Sequence, residues 1–164
     1  MKRYSKIALV VALALSLTGL AGPTPLRAQA AAELTIARIS GPSVLKAGLS
    51  GTYEVTIRND GNVPAPLEVH IIFAGTLDQT DRIVAEAGLA CEVGHDAGIN
   101  AVVRCTGGQI EAEGGTAKVV VQGRPQAAGE GKLVVTVNAS RLVGEFGGGG
   151  YDNNLLQFNI ITTD

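Results

Sequence analysis

Gly51-Thr52-Tyr53-Glu54-Val55-Thr56-Ile57-Arg58-Asn59-Asp60-Gly61-Asn62 alternates apolar and polar side chains and ends in a cluster of turn residues. A period of two places Tyr53, Val55 and Ile57 on one face of an extended chain and Glu54, Thr56 and Arg58 on the other, so the segment reads as a half-buried strand closed by a turn. The pattern recurs in Leu67, Val69, Ile71 and Phe73, with Glu68 and His70 outward, and in Leu133, Val135 and Val137. It returns in Leu156, Phe158 and Ile160, interleaved with Gln157 and Asn159. Leu34–Ile39, Ala90–Val93, Val102–Cys105 and Thr116–Gln122 are shorter candidates, giving about eight strands.

Between these segments stand Gly41-Pro42, Gly107-Gly108, Gly114-Gly115 and Gly147 to Gly150, residues that tolerate positive φ or interrupt pairing and so predict turns. Only Asp81–Leu89 admits a helix, and it reads equally as a strand with a bend. Many short strands without alternating helices predict an all-β antiparallel sandwich of the immunoglobulin-like kind, with seven to eight strands.

The first thirty residues have a different character. Lys2, Arg3 and Lys6 precede an uncharged run from Ile7 to Leu20, and Ala28-Gln29-Ala30 follows as a small-residue cleavage site. The run is about fourteen residues, short of the roughly twenty that span a bilayer as a helix, so residues 1–30 are expected to be a cleaved signal peptide. Residues 31–164 then form a single domain of ordinary size, released without a membrane anchor to the periplasm, the cell surface or the medium.

Removing residues 1–30 takes away Lys2, Arg3, Lys6 and Arg27 and no acidic group, which leaves nine basic residues against fifteen acidic ones and a formal charge of −6. Such a surface argues against nucleic acid or an anionic membrane as a partner. In an exported chain, the isolated pair Cys91 and Cys105 reads as one structural disulfide. A reactive or metal-binding pair is the competing reading, and neither Cys-x-x-Cys spacing nor clustered histidines favour it.

The order of motifs across residues 34–162 resembles a known family. Val44-Leu45-Lys46-Ala47-Gly48, then Gly51 to Gly61 and Pro64-Ala65, are followed by Cys91, Val103-Arg104-Cys105, Gly114-Gly115, Gly129 and Tyr151-Asp152-Asn153-Asn154. Together they resemble bacterial immunoglobulin-like surface domains: the "domain of unknown function 11" conserved repeat and the related cell-adhesion-related domain CARDB. The resemblance implies a sandwich used as spacer, stalk or adhesion module, and it brings no catalytic residues or cofactor. Such domains usually occur in tandem, and a single copy points to partner binding or self-association rather than a stalk.

The sequence offers no catalytic constellation. His70 alternates outward on its strand without an adjacent nucleophile, and Ser40-Gly41-Pro42-Ser43 lacks the strand-to-helix elbow of a serine hydrolase. Glu111/Glu113 and Asp78/Asp81 read as solvated loop charges. His95-Asp96 and Asp152 to Asn154 leave a metal ion as an open alternative to turn capping. Asn138-Ala139-Ser140 fits a glycosylation sequon by chance in a chain of bacterial character.

The expected function is therefore an exported, non-enzymatic structural or protein-interaction module of the cell envelope, binding an envelope or surface protein or itself. Leu142, Val143, Phe146 and Tyr151, near flexible glycines, are the expected contact loop, because apolar side chains on a loop are unfavourable unless covered. The alternative is a carbohydrate-binding or accessory domain of a secreted hydrolytic system, for which the mature chain offers five aromatic rings and no tryptophan.

Overall fold

The computed structural model describes residues 31–95, 100–137 and 155–164, and within them every regular element is a strand. In chain order these are β1 (Leu34–Ser40), β2 (Val44–Lys46), β3 (Gly51–Asn59), β4 (Ala65–Gly75) and β5 (Leu77–Ala85). There follow β6 (Ala90–Gly94), β7 (Ala101–Ile110), β8 (Gly115–Pro125), β9 (Gly129–Val137) and β10 (Leu155–Thr163). They form a four-stranded sheet in the order β1-β3-β8-β5 and a six-stranded sheet in the order β2-β10-β9-β4-β7-β6. Every pairing is antiparallel except that of β2 with β10.

The alternation read from the sequence sets the two inner faces. Tyr53, Val55 and Ile57 of β3 and Ala117, Val119 and Val121 of β8 line one. Leu67, Val69, Ile71 and Phe73 of β4, Val103 of β7, and Leu133, Val135 and Val137 of β9 line the other, and together they form the buried core. Burying each such aliphatic side chain stabilises the fold by about 1.5–3 kcal/mol relative to exposure. The immunoglobulin-like sandwich is thus the fold that the periodicity predicts.

Four details differ from the sequence reading. Leu77–Ala85 and Val44–Lys46 add two strands, and of the two readings open for Asp81–Leu89 the strand with a bend is the one observed, Asp81–Ala85 completing β5. A register shift between Gln79 and Ile83 bends β5, and Ala87 (φ 57°) and Gly88 (φ 74°) turn the chain back. Gly107-Gly108 is no turn. It lies inside β7, where Leu67 pairs with Gly108 and Val69 with Cys105, so β7 carries one extra residue, and Gly107 at φ 85° absorbs the bulge. Leu156, expected inward, is 37% exposed: among the described residues β2 pairs only with residues 161–163, so the first half of β10 has no outer neighbour there.

The turn after β3 is organised from inside. Asn59 is fully buried, and its amide is used on both sides. The Nδ2 group donates to the Val63 carbonyl at 2.8 Å and the Ile110 carbonyl at 3.4 Å, while Oδ1 accepts from the amides of Gly61 at 3.0 Å and Glu33 at 3.2 Å. Its carbonyl accepts from Gly114 N at 2.7 Å. One side chain therefore ties the approach to β1, the β3–β4 turn and the end of β7, and a hydrophobic residue there would leave these groups unpaired in the interior.

Tyr53 is the opposite case. Its ring meets Phe158 edge-on at 5.9 Å between centroids, yet its buried hydroxyl has no hydrogen-bond partner among the described residues. Burial pushes the phenol up from 10.0 to about 12.

Two outcomes are expected. Asn59→Ala should lower the unfolding free energy by about 3 kcal/mol in urea denaturation, since it orphans several buried backbone groups at once. Tyr53→Phe should change stability by less than about 1 kcal/mol at neutral pH, because the hydroxyl makes no bond to lose. At high pH the unfolded phenol ionises first, so the wild type loses stability from pH 10.0 to about 12, and Tyr53→Phe should flatten that decline in pH-dependent melting.

Candidate interaction surface

The register of the strands decides which side chains share each outer face. On the four-stranded sheet that face is mostly polar: Thr52, Glu54, Thr56 and Arg58 of β3 stand beside Thr116, Lys118 and Gln122 of β8, with the aliphatic pair Val120 and Val84 at the β8–β5 edge. Two ion pairs lie on it. Lys118 Nζ lies 3.2 Å from Glu54 Oε1, and Arg58 Nε lies 2.7 Å from Asp60 Oδ1. Exposed pairs like these contribute about 0–1 kcal/mol.

The six-stranded sheet presents a different outer face, organised in cross-strand rows. Val102, Ile72 and Val134 stand side by side on β7, β4 and β9 and form a small second apolar cluster, each at most 9% exposed. The next row sets Glu92, Arg104, His70, Thr136 and Leu155 across β6, β7, β4, β9 and β10. His70 is half-buried there, with Nε2 2.9 Å from Glu68 Oε1. The positions Ala74, Lys132 and Asn159 form a third row, and Glu130, Ile161 and Val44 a fourth.

Along β9 and β10 of this face lies a groove of about 570 Å³, lined by Glu130, Lys132, Gln157, Asn159 and Ile161 together with Gly75 and Gly131. Gln157 Nε2 donates to Asn159 Oδ1 at 2.7 Å, which fixes one wall as a pair of amides. Beside it, Ile161 and Val44 are register partners and are 58% and 57% exposed. A neighbouring pair of exposed aliphatics on a sheet face offers a contact that gains from being covered.

Of the residues singled out from sequence, Cys91 and Cys105 are joined, with S–S 2.06 Å, across directly opposed positions of β6 and β7. His70 and His95 do not meet: His70 lies on β4, His95 follows β6, and β7 runs between. Among the described residues no group of three His, Cys, Asp or Glu side chains is placed to hold a metal ion. Leu142, Val143, Phe146 and Tyr151 lie outside the described residues, as do Asp96, Asp152 to Asn154 and residues 1–30. The groove and its Ile161–Val44 neighbour escape sequence reading because cross-strand register creates them; alternation marks both residues only as outward.

No protein-family model and no curated protein matches the sequence. Solved structures do share its fold. A crystal structure of a CARDB domain from Pyrococcus furiosus, in complex with di-metal ions, is 19% identical, with a TM-score of 0.50 over 80% of this chain and 89% of that one. The solution structure of the same domain is 20% identical, with a TM-score of 0.50 over 80% of this chain and 94% of that one. A cohesin module from a Clostridium perfringens glycoside hydrolase is 14% identical, with a TM-score of 0.47 over 80% and 96%. The CARDB-like fold implied by the sequence motifs is therefore the fold observed.

Surface and cluster positions should respond differently to charge. Ile161→Lys and Val44→Lys should each shift the unfolding free energy by less than about 0.5 kcal/mol, whereas Ile72→Asp, in the second apolar cluster, should cost about 2 kcal/mol or more in denaturant titration.

Proposed function

We propose that the chain is an exported, non-enzymatic protein-interaction module of the bacterial cell envelope, which contacts a protein partner through the outer face of its six-stranded sheet. The observation that carries this reading is the exposed Ile161–Val44 pair beside the amide-walled groove. Three further points support it: the CARDB-like fold, the signal-like composition of residues 1–30, and a disulfide, which persists in oxidising compartments outside the cytoplasm. In this reading Leu142, Val143, Phe146 and Tyr151, which lie outside the described residues, supply further apolar contacts to the partner.

The chemistry at hand favours binding over catalysis. His70 is engaged by Glu68, and its row neighbours Arg104 and Thr136 supply neither a thiolate nor an activated hydroxyl. Carbohydrate recognition has the groove amides in its favour, but Tyr53 and Phe73 are fully buried and Phe158 packs on the core, which withdraws these rings from sugar stacking.

The full chain, expressed from its own coding sequence with a C-terminal tag, should fractionate outside the cytoplasm and cross-link to an envelope protein or to itself. Ile161→Lys and Phe146→Ser should each reduce the cross-linked yield at least about tenfold while leaving the melting temperature within about 2 °C. Unchanged yield with both substitutions would remove this face and this segment from the contact; a signal on a glycan array would replace the reading with carbohydrate binding.

A further inference from the structure

We propose that the Cys91–Cys105 disulfide is a latch on one edge of the six-stranded sheet: its reduction releases β6 from β7 while the rest of the sandwich stays folded. The inference rests on where the bridge lies and on how little else holds β6, and it stands independently of the partner reading.

Among the described residues β6 is the last strand of its sheet and pairs with β7 alone, over the five positions from Ala90 opposite Thr106 to Gly94 opposite Val102. Its side chains bury little. Ala90, Glu92 and Val93 are exposed, and within the strand only Cys91 packs against the core. β7 is held quite differently. On its other side it pairs with β4 from Ala65 opposite Ile110 to Phe73 opposite Ala101, and Val103, Cys105 and Ile110 are buried. The two sulfurs therefore join a strand with almost no apolar anchorage to one that is part of the core.

The bridge is also placed to act locally. Cys91 and Cys105 face each other directly, with Cα atoms 4.0 Å apart, the close spacing of a non-hydrogen-bonded pair. The ladder bonds then fall to the flanking positions, so the backbone groups of Val102, Arg104 and Thr106 are those that β6 covers and that its release uncovers. The turn before β6 supplies a hinge. Gln109 N donates to the Ala87 carbonyl at 3.2 Å, and Leu89 packs so closely on Gly108 that a Cβ there would lie 2.8 Å from it. This anchor sits beside the β7 bulge and does not depend on the disulfide, so the released segment begins after Leu89.

The step balances with a dithiol reductant. Its thiolate attacks Cys91 Sγ, the half-buried partner, and forms a mixed disulfide as the Cys91–Cys105 bond breaks. Cys105 Sγ leaves with the bonding electron pair, takes up a proton, and remains in the core as a thiol. The reductant's second thiol then attacks the mixed disulfide, expels Cys91 as a thiolate that protonates, and departs as a two-electron-oxidised cyclic disulfide. Closing a loop of 14 positions biases the chain against local opening by roughly 100-fold in the chain-entropy treatment.

Amide hydrogen exchange of the full chain before and after treatment with dithiothreitol tests the latch. Exchange at Glu92 and Gly94 of β6, and at the facing Val102 and Arg104 of β7, should quicken by about 100-fold, with β3, β4 and β9 unchanged and Gln109 still protected. Brief alkylation of the reduced protein should label Cys91 and spare Cys105, which is fully buried. Unchanged exchange in β6 after complete reduction would overturn the proposal, as would uniform acceleration in all strands, which would make the bridge a staple for the whole domain. The variant Cys91→Ser, altering only the half-buried partner, should reproduce the reduced pattern without reductant, and oxidised-like protection in it would count against the latch equally.

Discussion

The buried amide of Asn59 fixes one end of the sandwich. Four hydrogen bonds from a single side chain, with a fifth to its own carbonyl, join the approach to β1, the turn into β4 and the β7–β8 connection. Each of these segments contributes backbone groups that water cannot reach, and a buried polar group is tolerated only when paired. With that corner set, β3 and β4 leave it on opposite sheets with their apolar residues facing each other. The core then closes by burial of aliphatic side chains and the edge-on contact of Tyr53 with Phe158.

Much of this was legible from residue order. β3, β4 and β9 are half-buried antiparallel strands, the case in which alternation reports directly on the two faces, and the alternate residues from Tyr53 to Ile57, Leu67 to Phe73 and Leu133 to Val137 were placed inward correctly, while Ala65 was missed. The Asn59-Asp60-Gly61-Asn62 cluster announced a turn, although nothing in the linear sequence said that Asn59 would point inward and organise it. The failures have a common cause. β2 is three residues long, too short for a period to show, and β5 changes register midway, which breaks its alternation. Gly107 looked like a turn because a residue at positive φ serves a turn and a bulge equally well. Leu156 faces inward by parity but lacks an outer neighbour strand among the described residues, and only the sheet order reveals that.

The candidate surface was less legible than the fold. A groove along β9 and β10 belongs to pairs such as Ile161 with Val44, 117 residues apart, and no local pattern encodes their meeting. The disulfide was the exception, since Cys91 and Cys105 are the chain's two cysteines and neither Cys-x-x-Cys spacing nor clustered histidines offered another use. The two outer faces then divide by chemistry. The four-stranded sheet is mostly polar and pairs Glu54 with Lys118 and Arg58 with Asp60, while the six-stranded sheet places aliphatic, amide and charged side chains in adjacent rows.

Strand direction has one more consequence. The chain enters β1 beside Asn59 and leaves β10 beside Lys46, at the far end of the sandwich from that corner. A tension applied between these two points runs along the strands. It slides β1 against β3 and β10 against β9 and β2, so the ladder bonds carry the load together instead of parting one at a time like a zipper. A pull between these two points therefore loads the sandwich in shear.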